Sequence, residues 1–151
     1  MKQPEVFVSA KGSEPMVKPI VRDVLFLARP AVRATANDVP VADDLKDTLR
    51  ANQDRCVGLA ANMIGHAVQV LVFVDENEIM EMFNPEILKA SGVYQTEEGC
   101  LSLDGVRPVK RYRKLKVRWE TREQKIRIRT FEGFSAQIIQ HEMDHFRGIL
   151  I

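Results

Sequence analysis

The chain has 151 residues, 45% of them hydrophobic and 28% charged, and carries a formal net charge of +1. This composition predicts one globular domain with a sizeable core, and the near-neutral charge excludes nucleic-acid binding driven by whole-molecule charge. No apolar run approaches the ~18 residues that a membrane span needs. The two distant cysteines and the absence of a signal-peptide layout favour the cytoplasm.

The N-terminal third predicts an extension, an arm and a helix. Residues 1–15 are polar and interrupted by proline and glycine, so we expect a flexible extension preceding a single domain over residues 16–151. Residues 16–36 combine short apolar runs with prolines and predict an irregular arm. Residues 43–53 predict a helix, because aspartates suit its first turn and leucines recur at helical spacing.

The middle of the chain predicts mainly strands. Residues 56–65 are small and suit a tight connection, residues 68–74 form a buried strand, and residues 79–88 form a further strand with a turn at its proline. Residues 106–130 alternate in polarity and predict a β-hairpin with apolar side chains inward and cations outward. We interpret these cations as a solvated face that protects the sheet edge, with an RNA-facing patch as the alternative.

The final helix, predicted over residues 135–147 between two glycines, carries the pattern H-E-x-x-H. His141 and His145 lie four positions apart and therefore on one helical face, where both imidazoles can reach one metal ion. Glu142 lies beside them and can accept a proton from water. The alternative is a pair of histidines on the helix surface that bind no metal ion.

No residue downstream of His145 is a usual metal ligand. A third ligand would come from upstream in the chain or from another chain, or the two histidines would have no third protein ligand. The upstream candidates are Cys100, Cys56, His66, Glu97 and Glu98. A thiolate with two imidazoles leaves one tetrahedral position open, which is a catalytic arrangement. The alternative for Cys100 is a small buried thiol.

Three blocks in order resemble the peptide deformylase family: Gly58-Leu59-Ala60-Ala61 with Ile64-Gly65, Glu98 to Ser102, and Gln140 to His145. The resemblance runs from about residue 17 to the end. It implies an α+β fold with antiparallel sheets around the H-E-x-x-H helix. It also implies removal of the N-formyl group from N-formylmethionyl peptides.

The resemblance further implies one divalent metal ion per chain, natively Fe(II), with zinc or nickel as substitutes. Cys100, His141 and His145 would be its ligands, Glu142 the general base and acid, and the backbone N–H of Leu101 a donor to the formyl oxygen. The implied substrate-binding residues are Val57, Gly58, Met63, Glu98, Gly99, Arg107, Phe134, Gln137 and Ile138.

The chain departs from the family pattern at three side chains. Met63 replaces a glutamine that donates to the formyl oxygen, and a thioether cannot donate. Cys56 replaces a glycine, and Gln137 stands where the pocket for the methionine side chain is normally apolar. The Gln137 amide could serve the formyl oxygen instead. We therefore predict a hydrolase with reduced rate or shifted specificity; the alternative is a deformylase-like protein that binds metal and formyl or acyl peptides without useful turnover.

The expected partners follow from the same resemblance. The chain stops at Ile151, without the longer tail that many members use at the ribosome, so ribosome binding is possible but lacks that tail. We expect a formylated peptide as substrate, no membrane and no specific nucleic acid.

Overall fold

The computed structural model describes residues 16–100 and 102–149, with Leu103 described only in its backbone. The helices are α1 (Val24–Leu27), α2 (Val39–Ala51) and α3 (Gly133–Phe146). The strands are β1 (Gly58–Ala60), β2 (Val70–Asp75), β3 (Glu78–Cys100), β4 (Leu103–Glu120) and β5 (Ile126–Glu132). No helix within these ranges is long and apolar enough to cross a membrane. The extension predicted over residues 1–15 lies outside the described residues.

The five strands form one antiparallel sheet in chain order, β1-β2-β3-β4-β5. Strands β3 and β4 make a long hairpin in which Cys100 pairs with Leu103 close to the tip. Irregularities in their register bend the hairpin, as β-bulges do. The predicted α+β fold is confirmed, with a single bent sheet instead of several.

Helix α3 packs against β1, β2, β4 and β5, and so lies inside the curve of the sheet. Its residues Ala136, Ile139 and Phe146 join a core in which Phe73 contacts Phe131 edge-on, with ring centroids 6.0 Å apart. Each large apolar side chain buried here contributes about 1.5–3 kcal/mol. This packing supplies the stability that allows the polar face of α3 to be buried as well.

Helix α2 begins at Val39, earlier than the predicted start near residue 43. A 3-10 turn precedes it and is closed by a capping box between Thr35 and Asp38, and Pro40 occupies the first turn of α2. Both features favour helix initiation at Val39. Their effect is larger than that of the aspartates near residue 43, on which the predicted start was based. The helix ends at Ala51.

Strand β3 continues to Cys100, although the sequence predicted an end near residue 88. The register shifts between Phe83 and Glu86, so Pro85 falls in an irregularity where no ladder hydrogen bond is needed. The prediction of a turn at this proline was therefore wrong, and the extra length of β3 carries Cys100 to the end of α3.

The β4–β5 hairpin is confirmed, but the predicted orientation of β5 was wrong. Ile126 and Ile128 are both 53% exposed, whereas Arg129 pairs with the buried Val117 and so shares its face of the sheet. Arg129 is tolerated there because its guanidinium lies 2.9 Å from the Asp75 carboxylate. The alternating sequence gives the period of a strand but not which set of residues faces the core.

Candidate active site

A cavity of about 580 Å³ opens between β1, the tip of the β3–β4 hairpin and α3. It is lined by most of the predicted site residues: Val57, Gly58, Met63, Glu98, Gly99, Cys100, Phe134, Gln137, Ile138, His141 and Glu142. Arg107 is not among them. It lines a separate cleft, and its Nη1 lies 3.4 Å from the Asp104 carbonyl oxygen. Leu101 lies outside the described residues.

Cys100, His141 and His145 offer three ligand atoms that all lie within 4.8 Å of one another. The Nε2 atoms of the two histidines are 3.3 Å apart, as expected for positions one turn apart on α3. Among the residues described in the structure, neither Cys56 nor His66 joins this group. Burial, with the Glu142 charge next in size, raises the pKa of Cys56 to about 11 and keeps that thiol protonated.

His141 is oriented by a buried carboxylate. Its Nδ1 lies 2.8 Å from Glu98 Oε1, and Arg111 donates two hydrogen bonds to Glu98, at 2.9 and 2.7 Å. Burial acts to raise the pKa of Glu98, but hydrogen bonds from His141, Arg111 and Gln137 lower it to about 2. The ionised carboxylate turns the His141 Nε2 toward the ligand group.

A second carboxylate completes this network. Arg111 Nη1 donates to Asp144 Oδ2 at 2.8 Å, and the Arg111 side chain is only 5% exposed. This role was not predicted from the sequence, because Arg111 stands among the alternating cations of the hairpin segment, which are typical of a solvated face. The sequence did contain one indication of a buried ion pair. Asp144 lies inside the H-E-x-x-H motif but is neither a ligand nor the base, so its carboxylate needs a cation as partner.

Gln137 also belongs to this network. Its Nε2 donates to Glu98 Oε2 at 2.9 Å. The Gln137 amide, which the sequence offered as a possible substitute donor to the formyl oxygen, donates to Glu98 in the structure. The side chain still lines the cavity and makes one wall polar.

Glu142 is 3% exposed and faces the same cavity, and its Oε1 has no hydrogen-bond partner among the described residues. Burial raises its pKa to about 7. A side chain at Gly58 would collide with its neighbours, because a Cβ there would lie 2.7 Å from Ile138 and 3.0 Å from Glu142 Oε2. Glycine at this position therefore leaves room for the carboxylate.

The donor set fits a divalent metal ion. One sulfur and two imidazole nitrogens converge, and Cys100 and His141 line the cavity into which the Glu142 carboxylate, with its unpartnered Oε1, also faces. Burial acts to lower the pKa of His141, but hydrogen bonds with Cys100 and Glu98 raise it to about 10. His141 must therefore lose a proton when a metal ion binds. Three protein ligands with one open position are typical of catalytic metal sites. Fold and site together define the class of metal-dependent hydrolases.

Comparisons with known proteins agree with this class. A family model described as polypeptide deformylase matches residues 19–151. The peptide deformylase of Clostridium beijerinckii is 56% identical over 136 residues, which are 90% of this chain and all of that protein. The peptide deformylase of Caldanaerobacter subterraneus is 37% identical, over 82% of this chain and 77% of that protein.

Solved structures are similar over most of the chain. The Met-Ala-Ser-bound class I type b peptide deformylase of Acinetobacter baumannii matches with a TM-score of 0.80 and 30% identity, over 89% of this chain and 96% of that one. The enzyme of Thermotoga maritima matches with a TM-score of 0.80 and 27% identity, over 91% and 95% of the two chains. The chain belongs to the polypeptide deformylase family. It is a metal-dependent hydrolase that removes N-formyl groups from nascent peptides, as predicted.

Proposed function

We propose that Cys100, His141 and His145 hold one divalent ion, natively Fe(II) with zinc or nickel as substitutes, and that N-formylmethionyl peptides are hydrolysed beside it. The observation that carries this proposal is the buried, unpartnered Glu142 carboxylate in the same cavity as the three ligand atoms. A site that only bound metal would not need a base there. When bound, the ion polarises the formyl carbonyl and lowers the pKa of water.

Glu142 accepts the proton of the attacking water and then delivers it to the leaving amine. Its pKa of about 7, raised by burial, suits both steps because a group that titrates near the operating pH can take and return a proton. The family resemblance assigns one further donor to the developing oxyanion, the backbone N–H of Leu101, which lies outside the described residues. Glu98 keeps His141 in the tautomer that ligates through Nε2.

The substrate occupies the cavity with its first side chain among Phe134, Gln137 and Ile138 and its backbone along Val57, Gly58 and Gly99. The A. baumannii enzyme was solved with Met-Ala-Ser bound, which supports a peptide as the ligand of this fold. Arg107 stays a proposed substrate-binding residue: it lines a neighbouring cleft, and its Nη1 lies 3.4 Å from the carbonyl oxygen of Asp104, which lines the cavity. We also propose that residues 16–151 form one catalytic domain that works in the cytoplasm.

The alternative is a family member that binds metal and formyl or acyl peptides with little turnover. Met63 favours it, because this side chain lines the cavity and is 1% exposed but offers no donor to an oxyanion. Anaerobic purification with metal analysis, followed by a formyl-Met-peptide assay on the same sample, separates the two. Full metal content without turnover would support the alternative.

Replacing Cys100 by alanine tests the ligand set. We expect Cys100→Ala to lose metal more severely than the ~10–100-fold drop in affinity that is typical when an outer contact is removed. Cys56→Ala is the matched control, since this second thiol lines the same cavity but lies outside the ligand group. Equal metal content in the two purified variants would remove Cys100 from the ligand set.

Met63→Gln tests whether the missing donor limits the rate. Removing one oxyanion donor typically costs about 10²–10³ in turnover, so we expect restoring it to raise kcat on a formyl-Met peptide by at least about tenfold. Met63→Leu removes the thioether without adding a donor and should not show this gain. A Met63→Gln enzyme that is no faster than its parent, at matched metal content, would mean that the oxyanion is already served.

Gln137→Leu tests the polar wall of the cavity. Leucine removes the amide from the pocket and one of the hydrogen bonds to Glu98. We expect kcat/KM for formyl-Met relative to formyl-Gln peptides to rise about tenfold, since an unmatched polar group in a side-chain pocket discriminates by amounts of this order. An unchanged ratio would place the first substrate side chain away from Gln137.

A further inference from the structure

The two proposed histidine ligands are supported unequally. His141 has Glu98 at its Nδ1, 2.8 Å away. His145 is 1% exposed, and its Nδ1 has no hydrogen-bond partner among the described residues. A histidine that ligates metal through Nε2 almost always donates its Nδ1–H to an acceptor, because that contact fixes both its tautomer and its orientation.

An acceptor lies on the residue that already contacts His145. Asn62 is fully buried and its Nδ2 donates to the His145 backbone carbonyl oxygen at 3.0 Å. The other amide atom, Oδ1, is likewise buried without a partner in the described ranges. The site thus contains one orphaned donor position and one orphaned acceptor, on two residues joined by a hydrogen bond.

The turn that carries Asn62 holds this amide in place. It is a 3-10 turn, Ala61–Ile64, which ends at Gly65 with a left-handed φ of 96°. Its backbone is held by a hydrogen bond from Val21 to Met63, at 2.8 Å, and from His66 to Ala61, at 3.0 Å. A side chain fixed in this way can orient a neighbouring ring.

We propose that Asn62 is a positioning residue for the metal centre: its Oδ1 accepts the Nδ1–H of His145 through one ordered water, while its Nδ2 holds the His145 backbone. Buried polar atoms left without a hydrogen bond destabilise the fold, and this contact satisfies both of them. Asn62 and Glu98 then play equivalent parts for the two imidazoles. The inference rests on the proposed ligation by Cys100, His141 and His145.

Zinc release from the loaded protein to an excess of chelator tests the proposal. Asn62→Leu keeps the volume but has no acceptor, and we expect zinc to leave ~10–100-fold faster than from the parent. Asn62→Asp keeps an acceptor oxygen for the His145 ring, while it replaces the donor to the backbone by a second oxygen and adds a carboxyl group. Since the acceptor is retained, we expect zinc to leave far more slowly than from Asn62→Leu. Equal acceleration in both variants, or none in Asn62→Leu, would overturn the proposal.

A matched control separates positioning from general destabilisation. Asn84 is also buried, and its side chain bonds the Ala34 backbone at 2.7 and 2.9 Å, away from the metal ligands. Asn84→Ala should lower Tm without changing the rate of zinc release. If Asn62→Leu lowered Tm to a similar extent and released zinc no faster than Asn84→Ala, the role of Asn62 would be structural only.

A measurement on the unmutated protein covers the case in which Asn62→Leu does not fold. In zinc-loaded protein labelled with ¹⁵N-histidine, the His145 Nδ1 should carry a proton that exchanges slowly with water. The exposed His66 provides the fast-exchanging reference. Exchange at His145 as fast as at His66 would overturn the inference. The proposed ligand set is judged separately, since its failure would appear as retained metal in Cys100→Ala.

Discussion

Glu142→Ala is expected to keep the metal and lose hydrolysis, with turnover falling about 10²–10⁴-fold. The carboxylate lies beside the ligand group but is not part of it, so the three ligand atoms remain in place. Its burial, which raises the pKa to about 7, makes it the group in the cavity best suited to proton transfer near neutral pH. Steady-state kinetics on a formyl-Met peptide, with metal content measured in the same sample, checks the result.

The control for this variant is Glu97→Ala. Glu97 also lines the cavity, but it is exposed at the rim. Removing its carboxylate changes the charge of the cavity by the same amount and should leave turnover near that of the parent. A parent-like rate in Glu142→Ala would show that another group carries the proton.

Arg111→Met is expected to be the most destabilising single change in the described network. It leaves the Glu98 and Asp144 carboxylates buried without their cation, and breaking a buried ion pair in this way typically costs about 3–5 kcal/mol. For a domain of this size, that corresponds to a fall in Tm of roughly 10 °C. Thermal unfolding measured by circular dichroism tests this expectation.

Arg118→Met is the matched control on the same strand. Arg118 pairs with Glu86 at 3.5 Å on the outer face, with both side chains substantially exposed. Exposed pairs contribute about 0–1 kcal/mol, so its Tm should change little. Equal Tm values for the two variants would contradict the assignment of Arg111 to the buried network. Metal should also be held less tightly in Arg111→Met than in Arg118→Met, because Glu98 orients His141.

The sequence by itself was sufficient to predict the parts of the site that depend only on the repeat of the α-helix. His141, Glu142 and His145 lie within five consecutive residues, and the helical repeat places the histidines on one face whatever surrounds them. Three motif blocks were also sufficient for the family and for its α+β fold. The β4–β5 hairpin followed from the alternation of polar and apolar residues.

Only the tertiary structure decided which distant residues meet. Whether Cys100 joins the two histidines depends on the length and register of β3, and the β-bulge near Pro85 could not be predicted from local propensity. The same pairing buries Arg111 between Glu98 and Asp144, while the pattern of cations around it suggested a solvated surface. A charge becomes buried through contacts from several elements at once, so neither its own strand nor its neighbours in sequence determine its environment.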